Sequence, residues 1–256
     1  MATNQCMFFS AVLGKKTAMN VLLPDAGNMR DCPVLYLLHG MYGNYTSWQT
    51  NTRIEALAAE YGIAVVMPDA ENSFYQDMAA GKRYDTFVSE EVPARARQWF
   101  GLGNDPKKTH IAGISMGGFG AMRMALLHPE RFLTAASFSG CLDFAAYERE
   151  PCDPEIQAAL RAALGESMAI AESDNDLLDL LERAKRPLPA LYQFCGLEDE
   201  LYGQNQAFRD RAEARGVSLT YHESPGGHTW NVWDAELTRY LPWMMAKTKE
   251  ATGCGK

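Results

Sequence analysis

The order of apolar runs along the chain predicts a fold built around a mostly parallel β-sheet. Residues 6–13 and 18–23 are apolar segments separated by the turn-like stretch 14–16, and they predict an edge hairpin. Short and almost continuous apolar runs come next, as is typical of strands covered on both faces. Together with the hairpin they predict eight strands, the remaining six at residues 33–39, 63–68, 109–114, 133–138, 190–195 and 218–222.

Stretches with helical spacing lie between these strands. Residues 53–61 carry Ile54, Leu57 and Ala58 on one face, and Gly62 follows as a stop signal. Within a second stretch, Pro93 should bend the helix or mark a local restart. The other predicted helices cover residues 86–100, 116–128, 205–215 and 232–247. Strands that alternate with helices indicate an α/β fold with helices on both faces of the sheet.

Residues 142–186 form an insertion between two sheet strands, within what we predict to be a single domain of residues 1–256. The insertion contains two predicted helices, at 154–164 and 174–184, and no predicted strand. Ligands of open α/β folds bind at the carboxyl edge of the sheet, so the insertion is expected to form a small helical cap there. The alternative is a surface excursion that makes no contact with substrate.

Composition and charge narrow the class of protein. The 256 residues are 47% hydrophobic and 22% charged, as in ordinary globular proteins, and the net charge is −8. This charge opposes binding to nucleic acid or to an anionic membrane surface. The N-terminus lacks the basic start and apolar core of a signal peptide. Six scattered cysteines, at positions 6, 32, 141, 152, 195 and 254, show no metal-ligand spacing. Reduced thiols, a cytoplasmic location, and neither metal nor organic cofactor are therefore expected.

The motif G-x-S-x-G occurs between a predicted strand and a predicted helix, at Gly113-Ile114-Ser115-Met116-Gly117. An apolar strand precedes it and a predicted helix follows, which is the strand–turn–helix setting of a nucleophile elbow. Glycines flank the serine because a Cβ atom would collide with neighbouring backbone in so tight a turn. The motif therefore predicts Ser115 as a nucleophile. An incidental serine in a glycine-rich turn is the alternative.

A serine nucleophile needs a histidine base and an acid, which follow it along the chain in this order: serine, acid, histidine. His228 lies in the loop after the last predicted strand and can reach over the sheet edge, whereas His222 lies inside that strand. The loop after the preceding strand carries three candidate acids. Asp199 is preferred because its short side chain suits a rigid acceptor position beside the imidazole, and Glu198 is the second choice.

The oxyanion of an acyl-transfer intermediate requires two hydrogen-bond donors. We expect one from the backbone N–H of Met116, directly after the nucleophile, and one from Met41 in the loop after the third strand. Gly40 permits the close approach of that loop. Aromatic residues near these motifs either line a substrate pocket or pack in the core: Tyr42, Trp48, Phe74, Tyr75 and Trp230.

Four segments in this order resemble the tributyrin esterase branch of the esterase D-like α/β-hydrolase family: LLHGMYGNYTSW, GISMGGFGAM, CGLEDELY and GGHTWNVW. The resemblance spans nearly the whole chain and is weakest in the insertion. It implies the α/β-hydrolase fold, a triad of Ser115, Asp199 and His228, and oxyanion donors at Met41 and Met116. It also implies a small ester as substrate, of the short-chain acetyl or butyryl type.

The same family leaves other functions open. An acetyl or feruloyl ester of a plant carbohydrate is one alternative, and acyl transfer to an alcohol is another. S-formylglutathione hydrolases usually carry a different acid loop and histidine loop, so that function is less favoured. A catalytically silent binding module is the least favoured, because every triad position is filled. Relatives often assemble, so a homo-oligomer is expected from the resemblance alone.

Overall fold

One eight-stranded sheet organises the described residues. Its strands are β1 (Ala2–Ser10), β2 (Lys15–Leu23), β3 (Val34–Leu38), β4 (Ala64–Pro68), β5 (Thr109–Ile114), β6 (Thr134–Phe138), β7 (Ala190–Gly196) and β8 (Leu219–Ser224). Their order in the sheet is β1-β2-β4-β3-β5-β6-β7-β8. The structure is a computed structural model that describes residues 1–25, 27–149, 152–184 and 187–253. Strands β1 and β2 form an antiparallel hairpin at one edge, and β3 to β8 are parallel. This arrangement confirms the predicted sheet.

Helices cover both faces of the sheet, each over its own apolar cluster. All five residues of β3 are buried, and they alternate between the clusters: Val34 and Tyr36 face one, Leu35 and Leu37 the other. Burial on both faces explains why the strand is an unbroken apolar run. The helices are α1 (Ser47–Asn51), α2 (Ile54–Tyr61), α3 (Tyr84–Thr86), α4 (Val92–Phe100), α5 (Met116–Leu127), α6 (Ala146–Arg149), α7 (Pro154–Leu164), α8 (Leu177–Arg183), α9 (Tyr202–Ala214) and α10 (Trp230–Thr252). None of the helices in the described ranges is long and apolar enough to cross a membrane.

The local restart of the helix predicted at Pro93 is observed, and a short π-helical segment precedes it. A π-helical segment, Phe87–Glu91, separates α3 from α4, and Pro93 lies in the first turn of α4. Proline has no N–H, so the carbonyl of Ser89, four residues earlier, loses its helical donor. Arg131 Nη1 donates to this carbonyl instead, at 3.2 Å.

The edge hairpin differs from its prediction in the bounds of both strands. Strand β1 ends at Ser10, so Val12 and Leu13 belong to the turn and not to the strand. The cause is a distant carboxylate: the Oε atoms of Glu91 accept hydrogen bonds from Ala11 N and Val12 N, each at 3.2 Å. Leu13 is buried beneath this turn, so its apolar character reflects burial and not strand structure.

The described part of the insertion is helical, as predicted. Helix α7 has the predicted bounds, and α8 begins three residues later than expected because Asp176 caps it, accepting from Leu178 N and Asp179 N at 3.1 Å each. A short extra helix, α6, precedes them. Residues 150, 151, 185 and 186 of the insertion lie outside the described residues, as does Cys254; the other five cysteines are free.

Candidate active site

Ser115 occupies the sharp turn between β5 and α5 that its motif predicts. Its backbone has φ 51° and ψ −121°, a strained conformation for a residue with a side chain. A Cβ atom on Gly113 would lie 2.3 Å from the carbonyl oxygen of Gly117, and one on Gly117 would lie 2.5 Å from that of Leu38. Only glycine fits at either position. The turn holds Ser115 half-buried at the carboxyl edge of the sheet.

His228 and Asp199 meet beside this edge, from the loops that follow β8 and β7. Nδ1 of His228 lies 3.0 Å from Oδ2 and 3.1 Å from Oδ1 of Asp199, and Leu201 N donates to Oδ1 at 2.9 Å. Burial alone would raise the pKa of Asp199, but the bond and charge of His228 and further donors outweigh it and lower that pKa. The acid is therefore an ionised acceptor that holds Nδ1, while Nε2 of His228 makes no hydrogen bond to any described residue.

Glu198, the second candidate acid, has a different position. Its carboxylate accepts a hydrogen bond from Gly226 N, and its own N–H donates to Gly226 O at 3.1 Å. A Cβ atom on Gly196 would lie 2.1 Å from that same carbonyl oxygen. Glu198 therefore braces the loop that carries His228, whereas Asp199 contacts the imidazole.

Both expected oxyanion donors are free to bind a ligand. The backbone N–H groups of Met41 and Met116 have no acceptor among the described residues, and both residues line the same cavity as Ser115. A Cβ atom on Gly40 would lie 3.2 Å from Cβ of Ser115. The loop that carries Met41 therefore lies in close contact with the turn at Ser115.

Three buried side chains hold the loop around Met41, a role that the sequence did not indicate for any of them. Nδ1 of His39 donates to Gly40 O at 2.7 Å, and its Nε2 accepts from Ala70 N at 3.0 Å. This pattern requires a neutral ring, in agreement with burial, which lowers the pKa of His39. Trp48 Nε1 donates to Leu38 O at 3.0 Å, and Tyr75 Oη donates to His39 O at 2.9 Å.

A cavity of about 830 Å³ contains both Ser115 and His228 in its wall. Within the described residues, Ser115 Oγ makes no hydrogen bond to His228, whose ring is bonded to Asp199 through Nδ1. Of the aromatic candidates, Tyr42, Phe74 and Trp230 line the cavity, as does Gly40, whereas Trp48 and Tyr75 pack in the core. The insertion adds five lining residues that no motif signalled: Ala146, Tyr147, Cys152, Asp153 and Ile156.

The charged groups of the cavity are acidic. Asp153 and Glu200 line its wall, and no lysine or arginine of the described ranges does so. A substrate that brings a carboxylate or phosphate would meet like charge here, which costs binding energy. A neutral substrate meets no such cost.

Comparison with known proteins shows the family. The family described as "Putative esterase" matches residues 10–244. The chain is 32% identical to an acetyl esterase of Caldicellulosiruptor saccharolyticus, over 95% of this chain and 98% of that protein. Among solved structures it is similar to a substrate-bound fluorophosphonate-binding serine hydrolase F of Staphylococcus aureus, with a TM-score of 0.88, 28% identity, and coverage of 95% and 98% of the two chains. An S-formylglutathione hydrolase of the same organism gives a TM-score of 0.85 and 28% identity, over 95% and 98% of the two chains. The chain belongs to this esterase family and is a carboxylic ester hydrolase with the α/β-hydrolase fold.

Proposed function

We propose that the chain is a serine esterase that hydrolyses short-chain acyl esters, of the acetyl or butyryl type, through an acyl-enzyme on Ser115. One observation carries the proposal: His228 is held by Asp199 at 3.0 Å and lines the same cavity as Ser115. The acetyl esterase relative supports an acetyl substrate. We also propose that the chain belongs to the tributyrin esterase branch. A cytoplasmic location is proposed as well, and the five free thiols support it.

The reaction follows from the position of each group. Nε2 of His228 takes the proton of Ser115 as Oγ attacks the acyl carbon, while Asp199 accepts the Nδ1–H and stabilises the imidazolium. The N–H groups of Met41 and Met116 bind the oxyanion. His228 then gives its proton to the leaving alcohol. Water, activated by the same histidine, releases the acid and restores the serine.

S-formylglutathione is the second candidate substrate, because one similar structure is of an S-formylglutathione hydrolase. Glutathione carries two carboxylates, however, and the charged groups in the cavity wall are the carboxylates of Asp153 and Glu200. Like-charge repulsion therefore favours a neutral ester. Acetylated or feruloylated carbohydrate esters are also neutral, so they stay within the proposal as alternatives.

The nucleophile is tested with Ser115→Ala and a matched serine variant, Ser137→Ala. Ser137 lies on the neighbouring strand β6, buried and with its hydroxyl unbonded among the described residues. Turnover of p-nitrophenyl acetate should fall at least about 10³-fold in Ser115→Ala and stay near wild type in Ser137→Ala. A fluorophosphonate probe should label the wild type and Ser137→Ala only. Full activity or labelling of Ser115→Ala would contradict the assignment of Ser115 as the nucleophile.

The substrate class is tested with a panel of esters. It comprises p-nitrophenyl esters from acetyl to octanoyl, an acetylated sugar, methyl ferulate and S-formylglutathione. We expect the highest kcat/KM with the acetyl or butyryl ester. A higher value with S-formylglutathione would contradict the proposed substrate, and new ester formation with an added alcohol would indicate acyl transfer.

A further inference from the structure

We propose that Tyr42 binds the alcohol part of the ester: its exposed ring at the mouth of the cavity stacks against a ring of that part, and Asn72 positions it. The ring of the substrate is aromatic, which stacks through its π-face, or that of a sugar, which offers a face of C–H groups. The inference rests on the proposed function, because a short acyl group leaves the alcohol part as the place for a ring.

The ring of Tyr42 is open to solvent and lies in the cavity wall. Three aromatic side chains of the described ranges are exposed, those of Phe9, Tyr42 and Trp99, and of these Tyr42 alone lines the cavity. Tyr42 is 65% exposed and belongs to neither apolar cluster of the fold. Its ring is therefore not used in packing the core, and it can contact a molecule that enters the cavity.

The turn that carries Tyr42 is strained. Gly43 N donates to Gly40 O at 3.2 Å, which closes a four-residue turn with Tyr42 at its third position. The φ angle is 62° at Tyr42 and is not positive at Met41, the pattern of a type II turn, whose third position normally holds glycine or asparagine. A tyrosine there costs free energy, and strained residues cluster at sites that bind ligands.

Asn72 holds this turn in its strained form. Its Oδ1 accepts the N–H of Tyr42 at 2.9 Å. That N–H belongs to the central peptide of the turn, whose rotation would give the unstrained type I turn. The segment of Asn72 is joined to the same loop a second time, because Tyr75 Oη donates to His39 O at 2.9 Å. Asn72 does not line the cavity, so it acts through Tyr42 and not on the substrate.

The cavity has room for a substrate with a ring. Its volume of about 830 Å³ lies in the range of sites that hold drug-sized ligands, which are much larger than an acetyl or butyryl group. A neutral ring also avoids repulsion from the acidic groups of the wall, Asp153 and Glu200. Because its backbone is held from both sides, the ring of Tyr42 offers contact area at a low cost in entropy.

The ring is tested with Tyr42→Asn, which removes it and keeps a residue that tolerates positive φ. Tyr42→Phe keeps the ring and removes the hydroxyl. Phe9→Asn is the matched control, because Phe9 is an exposed aromatic residue that does not line the cavity. Asn72→Ala removes the acceptor of the Tyr42 N–H, and Asn72→Asp retains one. The measurements are kcat and KM with the acetate esters of ethanol, benzyl alcohol and methyl glucoside.

We expect the benzyl-to-ethyl ratio of kcat/KM to fall about fivefold in Tyr42→Asn, the effect of one stacked pair. The loss should appear in KM, since stacking stabilises the bound ester and the transition state alike. Asn72→Ala should lower the ratio about threefold, whereas Tyr42→Phe and Asn72→Asp should stay within about twofold of the wild type. Phe9→Asn should leave the ratio unchanged. A fall in the glucoside-to-ethyl ratio would identify a sugar ring as the partner in the same way.

Ratios that do not change in Tyr42→Asn would overturn the inference, as would an equal loss with all three esters, which would indicate disruption of the turn alone. An equal loss in Tyr42→Phe would assign the contact to the hydroxyl and contradict stacking. If Tyr42→Asn fails to fold, Asn72→Ala beside Asn72→Asp decides by the same ratios. Failure of the proposed function looks different: the wild type would then hydrolyse none of the esters and would not react with a fluorophosphonate probe.

Discussion

Nδ1 of His228 lies 3.0 Å from Oδ2 of Asp199, although 29 residues separate them in the chain. The two loops that meet here are joined a second time, because Glu198 and Gly226 exchange hydrogen bonds in both directions. The acid loop and the histidine loop therefore form one rigid unit at the end of β7 and β8. This unit is the part of the site on which the proposed chemistry depends most.

Gly113→Ala should disrupt the turn at Ser115. The new Cβ would lie 2.3 Å from the carbonyl oxygen of Gly117, which is backbone and can move only if the turn opens. We expect a loss of about 1–3 kcal/mol in the free energy of unfolding, together with a large fall in kcat. Urea unfolding and the p-nitrophenyl acetate assay measure the two effects.

Gly203→Ala is the matched glycine variant for that experiment. Gly203 lies in α9, and a Cβ there would meet no atom within 4 Å. The variant should gain about 0.4–1 kcal/mol, because alanine restricts the unfolded chain more than glycine does. Equal losses in the two variants would contradict the role of the close contact at Gly113.

Glu91→Gln should destabilise the edge hairpin. The carboxylate accepts hydrogen bonds from Ala11 N and Val12 N, each at 3.2 Å, and from Ser10 Oγ. Although burial raises the pKa of Glu91, these bonds outweigh it and lower the pKa below the ordinary 4.5. We expect a cost of about 1–3 kcal/mol at pH 7.

The cost of Glu91→Gln should depend on pH in a defined direction. A carboxyl group with a lowered pKa contributes stability above the pKa of the unfolded chain, and this is lost as the pH falls through the lower folded value. The difference in urea midpoint between wild type and Glu91→Gln should therefore be full at pH 7 and shrink below pH 4.5. A difference that does not change with pH would exclude a role for the charge.

His110 should make the protein sensitive to mild acid. Burial lowers the pKa of His110 from 6.5 to about 3. Between these two pH values the unfolded chain therefore binds a proton that the folded chain does not bind. Stability attributable to this group falls as the pH drops below 6.5, by about 1.4 kcal/mol at pH 5.5. The loss between pH 7.5 and 5.5, measured by urea unfolding, should be smaller by that amount in His110→Gln. An identical loss of unfolding free energy in the wild type and in His110→Gln would contradict the lowered pKa of His110.

Glu200→Gln should relax discrimination against anionic esters. With 4-acetoxybenzoate and its neutral amide as a pair, the anion-to-neutral ratio of kcat/KM should rise about threefold at low salt, and less in high salt, because a like charge in the cavity is removed. Glu213→Gln, an exposed position on α9 away from the cavity wall, makes the same charge change as a control. Equal effects of both variants would indicate net charge alone.

Signals that act over a few residues predicted α7 correctly, although the equally local cap at Asp176, which begins α8, was missed. Helix α7 was predicted with its observed bounds, since Asp153 caps it, Pro154 begins it and Gly165 ends it. The predicted end of the first hairpin strand was wrong because the turn after it depends on Glu91, 79 to 81 residues away in the chain. The contact between Trp233 and Ser139 spans 94 residues and had no local signal.

By itself the sequence determined the alternation of strands and helices along the chain, the elbow at Ser115 and the candidates for its partners, which are His228 with either Asp199 or Glu198. Those features depend on local alternation, on glycine at positions where a side chain cannot fit, and on motif order. Only the tertiary structure decided which acid contacts His228, which aromatic residues line the cavity and what charge the cavity wall carries. These depend on which distant loops meet at the sheet edge, and the packing of the whole chain sets that.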